Sequence, residues 1–289
     1  MKNYKQLFIL GNPRSGTSLL RIMLNCHSKI AIPPECGFMI WWYDKYKNWA
    51  YENDNDLAIL DDIFASKKFE TWNLNKSEVV KNIIEFKPKN YTELCSVIYL
   101  TYALKFSKSI ETIGDKNNYY IKHIPILNKL YPNAKYIHII RDVRDVACSY
   151  LNIEKLETDS LYKPILSSDV DEIATEWERN NLTTLNFFTT INEQNYITIK
   201  YEDLILNNKT IIKQLCDFLD IEVENAMFNY FDENKKFGVE PKETLDWKKK
   251  TLEPLDYNNI AKYKRELSAE QIEKINNKTK QLRKKFNYD

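Results

Sequence analysis

The chain contains little cysteine and glycine, and this scarcity excludes several classes of protein. Its five Cys are scattered and form neither a disulfide framework nor the ligand spacing of a zinc site. We therefore expect mostly buried thiols, a reducing compartment, a cytoplasmic location and no metal. Only five Gly occur among the 289 residues, and no Gly/Ser-rich linker divides the chain. We expect one domain over residues 1–289.

Long apolar runs and a strong net charge are also missing. No run approaches the roughly 20 residues that a membrane span requires, and nothing before the first apolar run resembles a signal peptide. The formal net charge is only +1, which gives no general argument for nucleic acid as a partner. We expect a soluble protein without a membrane span, in which any anion-binding site is local.

Apolar runs typical of buried strands alternate with patches of helical period. The strand-like runs cover residues 7–10, 119–122, 136–140 and 196–199, and the helical patches cover 92–106, 143–151 and 173–188. Such alternation indicates βαβ units with a parallel sheet buried on both faces. The predicted fold class is α/β, a P-loop-type three-layer α/β/α fold with a central, mostly parallel sheet.

Two segments depart from this alternation. Residues 36–110 form a mostly helical, aromatic-rich insert around Trp41, Trp42 and Tyr43. Such a patch is more typical of a core or an oligomer contact than of an acceptor groove, so a homodimer stays open. Residues 231–259 have weak periodicity, which is typical of a functional lid or a disordered piece. Residues 268–286 have the pattern of a capped, basic amphipathic helix.

A glycine-bounded loop joins the first strand to the first predicted helix. In Gly11-Asn12-Pro13-Arg14-Ser15-Gly16-Thr17-Ser18, backbone N–H groups and a helix N-terminus would converge on a phosphate. A nucleotide triphosphatase would have the sequence G-x-x-x-x-G-K-[ST] here. Thr17 occupies the place of that lysine, and the loop has its cation at Arg14. This favours phosphate binding without cleavage of a triphosphate.

Further cations follow other predicted strands, at the sheet edge where α/β proteins bind ligands. Arg141 follows the run 136–140, and Ser149 lies about two helical turns later. Lys116 lies in what we interpret as a turn, Gly114-Asp115-Lys116, and Tyr201 follows the run 196–199. Cations at separate strand ends suit one nucleotide with phosphates at two places. We interpret the neighbouring Arg144 as half of a charge pair at a helix start.

These segments together resemble the signatures of the PAPS-dependent sulfotransferases, where PAPS is 3′-phosphoadenosine 5′-phosphosulfate. The segment 13–18 resembles the family's 5′-phosphosulfate loop, and 141–144 with Ser149 resembles its 3′-phosphate site. The segment 201–204 resembles the Y-E-D-L segment near the adenosine, and 260–264 resembles the lysine-bearing stretch that closes over the donor. The similarity is greatest to the bacterial and tyrosylprotein branch, which has Arg in the first loop.

The resemblance implies in-line transfer of a sulfuryl group from PAPS, leaving PAP, to a hydroxyl or amine acceptor without a metal. Glu35 would be the general base, and Arg14 and Lys116 would stabilise charge on the leaving phosphate and the transferring group. The implied donor-binding residues are Arg14, Ser15, Gly16, Thr17, Ser18, Arg141, Ser149, Tyr201 and Lys262. The acceptor would be a glycan, phenol, peptide or lipid.

Several alternatives stay open at this point. Glu35 would otherwise be a carboxylate on a solvated turn, and His123 is a weaker candidate base, whereas His138 has the setting of a core residue. Tyrosylprotein enzymes have an arginine two residues after the catalytic glutamate, where this chain has Gly37. A P-loop kinase or hydrolase would require lysine in place of Thr17. A nucleotide-binding module without catalysis is the non-enzymatic alternative.

Overall fold

A five-stranded parallel sheet forms the centre of the protein. The structure is a computed structural model that describes residues 4–52, 57–106 and 109–289. The strands are β1 (Lys5–Leu10), β2 (Ile30–Ala31), β3 (Thr112–Lys116), β4 (Lys135–Ile140) and β5 (Tyr196–Lys200). Their order is β2-β3-β1-β4-β5, and each pairing between neighbours is parallel. The predicted α/β fold with a parallel sheet is confirmed.

Helices cover both faces of the sheet and its ends. They are α1 (Thr17–Asn25), α2 (Phe38–Trp41), α3 (Tyr43–Tyr46), α4 (Ile59–Phe64), α5 (Lys76–Phe86), α6 (Tyr91–Leu104), α7 (Ile124–Leu130), α8 (Val143–Glu154), α9 (Val170–Phe188), α10 (Tyr201–Leu206), α11 (Asn208–Leu219), α12 (Tyr230–Phe237), α13 (Tyr263–Glu266) and α14 (Ala269–Lys285). Short 3₁₀ helices lie at Phe69–Trp72, Asn118–His123, Glu193–Asn195, Asn225–Met227, Lys242–Trp247, Lys249–Leu252 and Tyr257–Asn259. Helices α6, α8 and α9 confirm the three predicted helical patches.

The alternation of side chains along β1 explains the three layers. Successive residues of a strand point to opposite faces, and in β1 the side chains of Phe8 and Leu10 enter one core while those of Leu7 and Ile9 enter another. Helices of the segment 38–104 cover the first face, and α1, α10 and α11 cover the second. Such a strand must be apolar on both sides, as its sequence indicates.

A third core joins the C-terminal end of β4 to α8, α9 and α14. Helix α14 begins with a capping box, in which Ser268 Oγ accepts the N–H of Gln271 and the Gln271 side chain accepts the N–H of Ser268. The predicted capped helix is therefore confirmed. The box satisfies two backbone donors that the first turn would otherwise leave unpaired.

Two local predictions about the chain near β3 were wrong. The run 119–122 is part of the 3₁₀ helix Asn118–His123, and the strand precedes it at Thr112–Lys116. Gly114, Asp115 and Lys116 are consequently strand residues and do not form a turn. The strand was missed because it ends in two charged residues, yet both are buried. Each is paired inside: the hydroxyl of Tyr120 donates to Asp115 at 2.6 Å, and Lys116 forms an ion pair.

The aromatic-rich insert is largely helical, as expected, although residues 53–56 and 107–108 of it lie outside the described part. Tyr43 is buried in the first core and Trp42, Tyr46 and Trp49 pack against it, so the core interpretation holds for them. Trp41 differs, because 41% of its surface is exposed. All five Cys are free thiols, four of them buried. No helix in the described ranges is long and apolar enough to cross a bilayer.

Candidate active site

The phosphate loop runs from the end of β1 into the N-terminus of α1. Gly16 has φ 96°, and a Cβ there would lie 2.4 Å from the ring of Tyr201. Only glycine permits both this backbone conformation and this close approach. The hydroxyl of Ser15 is buried, and it has no hydrogen-bond partner among the described residues. The loop therefore offers a helix N-terminus and an unused hydroxyl at one point.

Arg14 extends from this loop to two other parts of the chain. Its Nε donates to Ser149 Oγ at 3.0 Å, and its Nη2 donates to the carbonyl oxygen of Trp247 at 2.9 Å. Burial, together with the nearby charge of Arg141, lowers the pKa of Arg14 to about 10. A guanidinium with that pKa is still protonated at neutral pH, so it presents a poorly solvated positive charge to an anion.

Arg141, at the end of β4, lies next to the phosphate loop. Its Nη1 donates to the carbonyl oxygen of Arg14 at 3.2 Å, and its Nη2 donates to that of Asn259 at 2.6 Å. Its guanidinium carbon is 4.2 Å from the ring centroid of Tyr201. Its buried Nε has no hydrogen-bond partner within the described ranges. The structure thus brings Arg14, Arg141, Ser149 and Tyr201 together, as the sequence predicts.

Glu35 lies beside α1, where it forms an ion pair with Lys116 from β3. Lys116 Nζ donates to Glu35 Oε1 and, at 3.1 Å, to Ser18 Oγ. Two more ammonium groups approach the other oxygen of Glu35, Lys68 at 3.6 Å and Lys248 at 3.7 Å. The side chain of Glu35 is 17% exposed, so it is not a carboxylate on a solvated turn.

The electrostatics of this cluster favour an ionised Glu35. Burial alone would raise the pKa of the carboxyl, but Lys116, Lys248 and Lys68 together hold it well below its usual value. Burial lowers the pKa of Lys116 to about 8, a shift that the charge of Glu35 opposes and that of Lys248 adds to. A buried carboxylate among several cations, next to an anion-binding loop, is a candidate base.

Lys262 is held near the same site by a turn with an unusual backbone. Ala261 has φ 54°, and Asp145 of α8 fixes this turn because its two oxygens accept the N–H groups of Ala261 and Tyr263 at 2.8 and 3.0 Å. Burial and the charge of Arg141 lower the pKa of Lys262. Asp145 therefore orients the turn, whereas the neighbouring Arg144 forms the predicted charge pair with Asp142, at 2.6 Å.

One cleft of about 990 Å³ contains most of these groups. Arg14, Glu35, Arg141, Ser149 and Lys262 all contribute to its wall. Ten basic and only five acidic side chains line it, so its field attracts anions although the whole chain is nearly neutral.

The indole of Trp41 also lines this cleft, where it packs against Gly37. A Cβ on Gly37 would lie 2.5 Å from that ring. Trp41 is thus the one residue of the aromatic stretch 41–49 that faces the cleft among the described residues. By contrast, the ring of His123 packs against Tyr119 with the centroids 4.3 Å apart and is not part of the described cleft wall. That position disfavours His123 as the alternative base.

Sequence reasoning missed part of this cluster. Lys68 and Lys248 are separated from Glu35 by long stretches of chain, and no motif marks them. Glu240 and Arg21, which form a buried ion pair at 2.7 Å behind Lys248, were also missed. The sequence contains one indication of this ion pair, because Arg21 is a charged residue within the apolar pattern of α1. Within the described ranges, no three His, Cys, Asp or Glu side chains are grouped to hold a metal ion.

Comparisons with known proteins indicate the family of this chain. The family model described as "Sulfotransferase family" matches residues 6–225. A putative protein-tyrosine sulfotransferase of Caenorhabditis briggsae is 25% identical over 237 residues, which cover 80% of this chain and 71% of that protein. Protein-tyrosine sulfotransferase A of Caenorhabditis elegans is 22% identical, and the match covers 78% of this chain but only 52% of that protein.

Solved structures share the fold. The sulfotransferase domain of the Synechococcus PCC 7002 olefin synthase superposes with a TM-score of 0.67 at 22% identity, covering 100% of this chain and 97% of that one. The sulfotransferase domain from the curacin biosynthetic pathway gives 0.61 at 19% identity, covering 98% of each chain. A mouse sulfotransferase complexed with PAP gives 0.51 at 12% identity, covering 95% of this chain and 84% of the mouse chain.

Proposed function

The chain belongs to the sulfotransferase family, and we propose that it transfers the sulfuryl group of PAPS to a hydroxyl or amine, with Glu35 as the general base. One observation carries the proposal. Glu35 pairs with Lys116, which also donates to Ser18 at the start of α1, in the cleft that Arg14 and Arg141 also line. The chain is an enzyme by its family, and the geometry supports a role for each of these residues.

The residues of the cleft fit a donor with phosphates at two places. The hydroxyl of Ser15, which has no partner among the described residues, and the N-terminus of α1 suit the 5′-phosphosulfate, with Arg14 beside them. The Nε of Arg141 has no partner within the described ranges and lines the same cleft as Ser149, so the two suit the 3′-phosphate that distinguishes PAPS from an ordinary adenine nucleotide. Tyr201 supports both, because its ring lies against Gly16 and under Arg141.

The transfer requires a base, a leaving-group cation and alignment of the reactants. The acceptor oxygen forms a bond to sulfur while the bond between sulfur and the 5′-phosphate oxygen breaks, and the hydroxyl proton passes to Glu35. Lys116 and Arg14 stabilise the negative charge that develops on the departing phosphate. Because Lys116 contacts Glu35 before the reaction, its movement to the leaving oxygen would free the carboxylate and raise its basicity.

The acceptor site is the part of the proposal in which this chain differs from its named relatives. Two of them are protein-tyrosine sulfotransferases by name, but Gly37 replaces the arginine of that branch. The space beside Gly37 contains the indole of Trp41, which offers a flat apolar surface in the same cleft as Glu35. Glycans, phenols, peptides and lipids with a free hydroxyl or amine are the acceptors to test.

A transfer assay with radiolabelled PAPS tests the proposal directly. The protein is incubated with a phenol, a glycan, a tyrosine peptide and a lipid alcohol, and labelled product and PAP are both quantified. We expect labelled product with one of these acceptors, formed in equal amount to PAP. Stoichiometric binding of PAP without transfer to any acceptor would instead favour the non-catalytic nucleotide-binding module. Hydrolysis of ATP with magnesium would favour the kinase or hydrolase alternative.

A further inference from the structure

The segment between α12 and α13 contributes groups to the centre of the candidate site. Two 3₁₀ helices, Lys242–Trp247 and Lys249–Leu252, meet at Lys248. The carbonyl of Trp247 accepts a hydrogen bond from Arg14 at 2.9 Å. The side chain of Lys248 is only 8% exposed, although its neighbours Lys249 and Lys250 are exposed. A lysine is rarely buried unless a carboxylate pairs with it.

Lys248 has two carboxylate neighbours, one on each side of its ammonium group. Its Nζ is 2.5 Å from Glu240 Oε1 and 3.7 Å from Glu35 Oε2. The other oxygen of Glu240 is 2.7 Å from Arg21 of α1. Burial would raise the pKa of Glu240, but the charges of Lys248 and Arg21 hold it at about 2. Glu240 therefore stays ionised and fixes Lys248 in place.

The groups that face Glu35 differ in how firmly they are held. Lys116 comes from β3, Lys68 from the loop after α4, and Arg14 from the phosphate loop at longer range. The side chain of Lys68 is 23% exposed, and its ammonium group also lies over the ring of Tyr162 at 5.8 Å. In the proposed reaction Lys116 turns to the leaving oxygen. Lys248 then remains beside Glu35, because its buried partner Glu240 holds it there.

We propose that Lys248 is a positioning residue for Glu35, because it keeps the base oriented toward the acceptor and ionised while Lys116 stabilises the leaving group. This inference rests on the proposed function of the same site. Glu240 and Arg21 supply the anchor, since they connect Lys248 to the helix that begins at the phosphate loop. The segment between α12 and α13 then contributes a positioning residue to the site.

The test is Lys248→Met, assayed with PAPS and the acceptor that reacts fastest in the panel above. We expect kcat to fall about tenfold or more, because the variant loses part of the rate enhancement that a general base provides. We expect the KM for PAPS and the stabilisation by PAP to stay unchanged, because Lys248 acts through Glu35. The acid limb of the kcat–pH profile should move to higher pH, since removing a nearby cation raises the pKa of Glu35. Lys248→Arg should restore most of kcat.

Lys242→Met is the matched control, because Lys242 lies on the same segment but is exposed, and we expect it to behave as the wild type. If Lys248→Met folds poorly, Lys248→Gln replaces it, because the amide can still donate to Glu240 but carries no charge. An unchanged kcat, or an equal loss of kcat and PAP binding, would overturn the inference. Absence of transfer by the wild type would instead contradict the proposed function.

Discussion

At the residue scale, the site depends on how one carboxylate is shared among several cations. Glu35 is held by Lys116 and approached by Lys68 and Lys248. Such a carboxylate is a weak base until one of the cations moves away. This arrangement keeps the proposed base ionised at neutral pH and links its strength to the position of Lys116, which the donor would change.

Glu35→Gln tests the base directly. The amide retains the shape of the side chain but takes no proton, so we expect kcat to fall about 10²- to 10⁴-fold. Stabilisation by PAP should change little, since Glu35 pairs with Lys116, Lys68 and Lys248 and not with Arg14 or Arg141. The control is Glu85→Gln, which removes an exposed carboxylate on α5. Equal turnover by Glu35→Gln and the wild type would show that another group accepts the proton.

The sequence could identify Arg14 and Glu35 because each lies in or beside a local motif. Lys68 and Lys248 were not predictable, because each joins the site through its contact with Glu35, from which a long stretch of chain separates it. Their sequence neighbourhoods, Lys67-Lys68 and Lys248-Lys249-Lys250, look like solvated charge runs. One lysine of each run is buried or half-buried while its neighbours are exposed. The sequence of a segment without periodicity does not show which lysine that is.

At the scale of elements, β4 shows how a polar residue is accommodated in a buried strand. His138 is fully buried, and its Nε2 lies 2.9 Å from Asn181 Oδ1 of α9, which fits an Nε2–H that donates to the amide oxygen. Burial lowers the pKa of His138 to about 4. The prediction of a satisfied core histidine is confirmed. Its neutral form therefore joins the sheet to α9.

The stability of the protein should depend on the protonation of His138. An unfolded histidine has a pKa near 6.5, so between about pH 6.5 and pH 4 the unfolded chain binds a proton that the native protein does not. Stability is lost as pH falls through this window, by about 2 kcal/mol at pH 5. Urea unfolding at pH 7.5 and pH 5 should show this loss in the wild type but not in His138→Gln. Equal losses in both proteins would contradict the assignment.

The turn after the last 3₁₀ helix gives a second prediction at this scale. Asp145 of α8 holds the turn at Ala261 so that Lys262 faces the cleft, whereas Lys264 is exposed. We expect Lys262→Met to weaken PAP binding about tenfold, because a hydrogen bond to a charged group is lost. Lys264→Met should leave PAP binding unchanged. Calorimetric titration of both variants measures the difference, and equal affinities would exclude Lys262 from the donor site.

The helices and strands were largely predictable where apolar residues recur with a regular period. Residues 136–140 and 196–199 are almost continuously apolar or β-branched and are strands, and 173–188 has a clear helical period. The prediction failed at β3, because its charged end is stabilised by partners from distant parts of the chain. Tyr120 and Ile121 belong to the apolar run that was predicted to be a strand. They lie in a 3₁₀ helix instead and pack into the core.

For the whole molecule, the parallel sheet explains why residues far apart in sequence meet. The carboxyl ends of the five parallel strands lie at one edge of the sheet, and Arg14, Glu35, Lys116, Arg141 and Tyr201 lie at these ends or shortly after them. The single-domain organisation, the cytoplasmic location and a homodimer stay predictions. The acceptor could not be predicted, because Trp41 and the loop residues that we propose for the acceptor site belong to no motif.

The central claim is that Arg14's loop and Arg141 with Ser149 bind the two phosphate groups of one donor. Calorimetric titration with PAP and with AMP tests this claim most directly. We expect wild-type protein to bind PAP more tightly than AMP. Arg141→Ala, and more mildly Ser149→Ala, should weaken PAP about 10- to 100-fold and AMP very little. Equal losses of PAP and AMP affinity in a variant that retains the wild-type melting temperature would contradict the claim.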